Sequence, residues 1–139
     1  MALRPAYLAD KSALARMPDA AVRARLEPLL VDGLVATCGI IDLEIGFSAQ
    51  TAAVHRDIRR ERLALPRARI DGDVLDRAFE VQGGLLADHG QHRLPIPDLV
   101  IAAAAESAGL TVLHDDADFV RIAEVTGQSH DWVVPREAL

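Results

Sequence analysis

The chain has 139 residues, half of them hydrophobic, and a formal net charge of −6. That length suits one domain, read here as residues 1–139, and an apolar content unbroken by any low-complexity tract excludes disorder. The acidic balance excludes a simple basic nucleic-acid coat, and the single cysteine, Cys38, excludes an internal disulfide and a cysteine-based zinc site.

In chain order, "AYLAD" (6–10) reads as a short buried strand ending in Asp10. A helix over residues 19–31 follows, with Asp19 as its cap and Pro28 placed to kink or shorten it. "LVATC" (34–38) is apolar and β-branched, so a second strand. Residues 39–49 and 51–63 read as helices, 67–70 as an extended segment, and 71–89 as a helix interrupted at Gly83-Gly84. "QHRLPIP" is loop; 98–108 is helix, 110–114 strand, 117–126 a short helix and 131–135 a last strand. Strands alternating with helices predict a parallel sheet covered on both faces, which binds ligands beyond the carboxyl ends of its strands. The longest apolar run, Leu99 to Ala105, is too short to span a bilayer, and Asp10 and Lys11 stand where an export signal would be greasy. The expectation is a cytoplasmic protein with no membrane partner.

The carboxylates fall in a pattern. Asp10 ends the first strand, Asp115 and Asp116 follow strand 110–114, and Asp98 opens a helix with seven apolar residues behind it. Each alone reads as a cap, which Asp favours. Glu44 is different. With Ile40 at zero on a wheel of about 100° per residue, Glu44 lies near +40°, amid Ile40, Ile41, Leu43 and Phe47, while Asp42 lies near 200° and faces solvent. A buried carboxylate needs a cation, either an arginine inside the fold or a metal. Three acids on one rim, with Glu44 pointing inward, would repel one another unless a divalent ion neutralised them. All-oxygen ligands suit Mg²⁺ or Mn²⁺. On this reading Asp98 is both cap and ligand. Of fifteen basic residues only Lys11 is a lysine, and Arg56, Arg59, Arg60 and Arg62 cluster on one helix. They are either a solvated face interleaved with Asp57 and Glu61 or a set of phosphate contacts.

The segments "YLADKSAL" (7–14), "GIIDLEIGFS" (39–48), "IPDLVIAAAA" (96–105) and "LTVLHDDADF" (110–119) resemble, in order and spacing, the motifs of PIN-domain ribonucleases. More narrowly, the chain resembles the VapC-type toxins of bacterial toxin–antitoxin pairs, over nearly its whole length. The resemblance implies a PIN-like α/β/α sandwich on a central, mostly parallel β-sheet. It implies an endoribonuclease dependent on Mg²⁺, with Mn²⁺ able to substitute. Asp10, Glu44, Asp98 and Asp116 are then the catalytic acids, and Asp10, Asp98 and Asp116 the metal ligands. Ser12, Asp118 and Lys11 would support the site. Arg56, Arg59, Arg60 and Arg62, and the loop "HGQHR" (89–93), are candidates to touch RNA. Partners implied are a VapB-type antitoxin covering the site and a second copy in a homodimer.

Two positions depart from the family pattern: Lys11 stands where threonine is usual and His114 where a small hydroxyl residue is usual. Lys11 either pairs with a carboxylate and weakens metal binding or touches the substrate phosphate; His114 is expected to satisfy a hydrogen bond at the strand end. Other classes fit less well. A response-regulator receiver needs a late lysine, and a haloacid-dehalogenase-like phosphatase needs an Asp where Ser12 stands. The remaining rival is a catalytically impaired PIN domain serving as an RNA- or protein-binding module.

Overall fold

A computed structural model describes residues 4–89 and 93–136. Four short strands, β1 (Tyr7–Ala9), β2 (Val35–Ala36), β3 (Thr111–His114) and β4 (His130–Trp132), form one sheet in the order β2-β1-β3-β4. Every pairing is parallel, with Leu8 opposite Ala36 on one side and Val112 on the other. The chain steps one way from β1 to β2 and the other way to β3 and β4. The switch point therefore lies between β1 and β3, the place where such sheets open a crevice.

Strands β1, β2 and β3 are largely apolar and buried because both faces are covered there, whereas β4, at the edge, is polar and partly exposed. Leu8 and Val112 face one core, with Ile41, Leu85, Ile101, Phe119 and Ile122. Leu113, one residue on from Val112, faces the other core with Val22, Leu26 and Val133. Helix α2 (Ala20–Val31) supplies Val22 and Leu26 to that second core. Asp19 caps it by accepting from the Ala21 N–H at 2.9 Å. Pro28 lies inside this helix on an exposed position, where the carbonyl it leaves without a donor meets water, and the helix still ends at Val31.

The first core is covered by α3 (Gly39–Gly46), α5 (Gly72–His89), α6 (Ile96–Ala108) and α7 (Asp118–Thr126), with α4 (Ala52–Leu63) laid outside against α3. In α6 every residue from Asp98 to Ala105 is buried, which its apolar run requires. Gly109, at φ +69°, ends it in the left-handed region that glycine takes without strain.

Several boundaries differ from expectation. The 71–89 helix is not interrupted at Gly83-Gly84. A Cβ on Gly84 would meet Val125 Cγ1 at 3.0 Å, so this glycine lets α5 and α7 approach closely. The 39–49 helix stops at Gly46, and the 67–70 segment makes one bridge, Arg67 with Thr37. The last strand begins one residue earlier than expected, at His130, and ends at Trp132; past it the Val133 N–H still donates to the His114 carbonyl at 2.7 Å. A single turn, α1 (Lys11–Leu14), follows β1 where no helix was expected; it is capped by the Asp10 side chain. Most of the 89–93 loop lies outside the described residues.

Candidate metal centre

The acids reach one crevice from four directions. Asp10 follows β1, and its N–H extends the ladder to the Leu113 carbonyl at 2.9 Å. Its side chain is 4% exposed, and Oδ2 accepts from the Ser12 N–H at 3.0 Å. Ser12 Oγ in turn accepts from the Asp115 N–H at 2.9 Å, so α1 is tied to the segment after β3. Asp115 itself turns away to Arg16, 3.1 Å off.

Asp98 is not the cap expected of it. The helix starts at Ile96 with Pro95 in the capping position, because two prolines around Ile96 fit the first turn and leave fewer N–H groups to satisfy. Asp98 is therefore the third helical residue, 8% exposed, with its carboxylate released from capping to face the crevice. Burial first, then the charges of Asp10, Asp116, Asp118 and Glu44, push its pKa up to about 8.

Asp116 and Asp118 complete the centre. Asp116 Oδ1 accepts from the Asp118 N–H at 2.9 Å, and Asp118 also pairs with Arg121 at 2.8 Å. One carboxylate oxygen each from Asp98, Asp116 and Asp118 lie within 4.8 Å of one another, the group of this kind found among the described residues. Asp118, expected only to support the site, thus stands with Asp98 and Asp116. Asp10, expected as a ligand, stands beside them as the largest charge acting on Asp98.

Glu44 comes from α3. Its Oε1 is buried with no hydrogen-bond partner. Burial and the charge of Asp10 raise its pKa, while Lys11 opposes them. The arginine that might have balanced it goes elsewhere. Arg62 pairs with Asp42 at 3.0 Å, Arg67 pairs with the other Asp42 oxygen, and Thr37 donates to Asp42 at 2.8 Å. Asp42 is not the solvated residue the wheel implied. Its side chain is 18% exposed, and although burial works to raise its pKa, the Arg67, Thr37 and Arg62 contacts outweigh that and lower it. The wheel assumed one apolar face on α3. In fact α4 covers the Asp42 side, while Leu43 and Phe47 are exposed at 70% and 89%.

The donor set fits a hard divalent cation: oxygens only, a cluster of like charges, and an orphaned buried carboxylate oxygen aligned with none of the arginines. The arginines of α4 divide. Arg62 is committed inward, Arg60 lies 3.7 Å from Asp57 with both exposed, and Arg56 and Arg59 are exposed. Between α3 and α4 a groove of about 310 Å³ is lined by Leu43, His55, Ile58, Arg59 and Leu63.

His114, expected as a structural residue, is fully buried, and burial followed by the His130 charge lowers its pKa to about 4. Its contacts with Asp116 and His130 were not foreseen, nor were those of Arg16 and Arg121. Arg121 carried a local signal, three residues after Asp118 on a helix; the Arg16–Asp115 and His130–His114 contacts cross the fold and carried none.

The PIN domain family matches residues 7–125 of the chain. Ribonuclease VapC21 of Mycobacterium tuberculosis is 50% identical over 130 residues, which cover 92% of this chain and 94% of the relative. Ribonuclease VapC51 of the same organism is 44% identical over 135 residues, 97% of this chain and 96% of the relative. Among solved structures, VapBC2 from Rickettsia felis, bound to a DNA fragment from its promoter, superimposes with a TM-score of 0.69 at 13% identity, over 93% of this chain and 98% of that one. VapC20 of M. tuberculosis, titled a sarcin-ricin loop cleaving toxin, superimposes with a TM-score of 0.61 at 17% identity, over 83% and 93%. At such identities the structures bear on the fold alone.

Proposed function

The chain belongs to the PIN-domain family, among the VapC-type ribonuclease toxins, and from that premise we propose that it is an endoribonuclease dependent on Mg²⁺ or Mn²⁺ and held in check by a VapB-type antitoxin. The observation that carries the reading is the Asp98, Asp116 and Asp118 cluster with the orphaned Glu44 oxygen beside it.

Asp98, Asp116 and Asp118 would hold the ion, with Asp10 and Glu44 alongside. When bound, the ion supplies two things: a water acidic enough to attack at neutral pH and charge to stabilise the phosphoryl oxygens. The chain's own groups do the rest. Asp98 carries a proton in the metal-free state, as its raised pKa requires, and gives it up when the ion binds. Asp10, fixed by the Ser12 N–H, would stand beside the ion and oppose the like charge of Asp98. Glu44 Oε1, raised in pKa and free of partners, takes the proton of the attacking water. Arg56 and Arg59, exposed on α4, hold the RNA backbone; Arg62 contributes through the fold instead. The expected products carry a 5′-phosphate and a 3′-hydroxyl.

An antitoxin and a second copy each need an apolar surface, and the described residues expose two. One comprises Leu43, Phe47 and Leu63 beside the α3–α4 groove; the other comprises Leu75, Phe79 and Ile96 on α5 and α6. A ribonuclease held by an antitoxin would act in the cytoplasm. No helix of the described residues is long and apolar enough to cross a membrane.

The test is cleavage of total bacterial RNA by the purified protein with Mg²⁺, Mn²⁺ or EDTA, beside Asp98→Asn. Discrete cuts that need the ion and vanish in the variant are expected. A folded, antitoxin-free protein that makes no cut under any condition would overturn the nuclease and leave a binding module.

A further inference from the structure

We propose that His130, on the edge strand β4, is a positioning residue for Asp116 and acts through the His114 ring. The inference rests on the metal reading above. The Asp116 N–H donates to His114 Nδ1 at 3.2 Å. A main-chain N–H only donates, so Nδ1 is unprotonated and the neutral ring carries its hydrogen on Nε2. That hydrogen goes to His130 Nδ1, 2.9 Å away.

The His114 ring has no freedom to choose another arrangement. It is fully buried, with ring centroids 5.3 Å from Phe119, 5.1 Å from His130 and 4.8 Å from Trp132. At the other end, Asp116 Oδ1 accepts from the Asp118 N–H at 2.9 Å. One line of hydrogen bonds therefore runs from β4 through His114 and Asp116 to the first turn of α7. Two of the three clustered carboxylates hang on it. His130 pairs with Val112 in the register and is the diagonal neighbour of His114, so the line crosses the sheet instead of following a strand.

A buried histidine needs partners for both nitrogens, and that requirement alone explains why the ring is bonded. It does not explain where the acceptor is directed. Nδ1 holds the amide of a clustered aspartate at the point where the chain leaves β3, and a fixed amide fixes the direction in which that carboxylate departs. Groups that orient metal ligands in this way influence affinity without touching the ion.

The experiment compares His130→Phe, His130→Leu and His130→Asn in the full chain. Phe keeps the ring packing and loses the acceptor; Leu loses both; the Asn oxygen occupies the place of Nδ1. Mn²⁺ binding is titrated by calorimetry, and exchange of the Asp116 amide hydrogen is followed by NMR in EDTA. His130→Phe is expected to weaken Mn²⁺ binding about tenfold and to speed Asp116 exchange, with His130→Asn restoring both. His130→Leu should match His130→Phe in affinity, so either variant serves if the other does not fold. If Phe or Leu lowers Tm but leaves Mn²⁺ affinity and Asp116 exchange as in wild type, His130 only packs and the inference is overturned. If wild type binds no Mn²⁺, the metal reading falls, and unchanged Asp116 exchange in His130→Phe would overturn this inference too.

Discussion

A carboxylate oxygen of Asp98, the first residue of the buried stretch of α6, lies within 4.8 Å of one from Asp116, which follows the strand on the far side of the switch point. Without a cation that proximity is a liability. The Asp98 carboxyl is pushed up to about 8 in the folded protein from an ordinary 3.8. Between those values the folded state keeps a proton that the unfolded chain has lost, so stability falls as pH rises through the window. His114 acts in the opposite sense between about 4 and 6.5, which leaves 6.5 to 8 as the clean interval. The groups facing Asp98 there are Asp10, Asp116, Asp118 and Glu44. Melting in EDTA should show Tm dropping from pH 6.5 to 8, and Asp98→Asn should flatten that slope and stabilise the protein at pH 8 by several kcal/mol.

Ion binding must expel the Asp98 proton. Calorimetric titration of Mn²⁺ at pH 7 in two buffers of different ionisation enthalpy should report release of close to one proton, and the apparent affinity should climb with pH until about 8. Equal heats in the two buffers would mean that Asp98 is already ionised or is not a ligand.

The arginines of α4 should separate by function. Arg56→Ala and Arg59→Ala are exposed changes, expected to leave the unfolding free energy within about 0.5 kcal/mol of wild type. Each should weaken RNA binding and reduce its salt dependence by close to one charge's worth. Arg62→Ala should do the reverse, because it strips a partner from Asp42 and Thr37. A loss of roughly 1–3 kcal/mol in urea melting is expected, with little change in the salt slope.

Asp42→Ala extends the same argument. It leaves Arg62, Arg67 and the Thr37 hydroxyl without their shared acceptor, at a cost of about 2 kcal/mol. Glu44→Gln removes a buried charge that has no partner and should raise Tm in EDTA while abolishing cleavage. Opposite signs for two acids two residues apart on one helix, read by melting and RNA cleavage together, would be the signature of a structural and a functional carboxylate.

The first three strands were legible because they are buried and read as plain apolar runs, two of them ending in Asp10 and in His114-Asp115-Asp116, whereas the polar edge strand β4 was placed one residue late. The one-turn helix α1 was not, since four residues carry no period and its start depends on Asp10 folding back on the Ser12 amide. Asp98 was misjudged as a cap because the prolines at 95 and 97 move the helix start upstream of it. On α3 the wheel placed Glu44 inward but could not know that α4 would bring Arg62 to Asp42, a partner twenty residues away. The grouping of Asp118 with Asp98 and Asp116 depends on how α7 leaves β3, and His130 reaches the site only through strand pairing. No local pattern encodes either relation.

The sheet order has a consequence for synthesis. β1 is completed only when β3 pairs with it, and Tyr7 meets Thr111 across most of the chain. The acids span residues 10 to 118. A ribosome must therefore release the chain past residue 118 before the crevice can close around its charges. Until then the acids are not assembled, and a partner that covers them has the time taken to translate residues 10 to 118 in which to be present first.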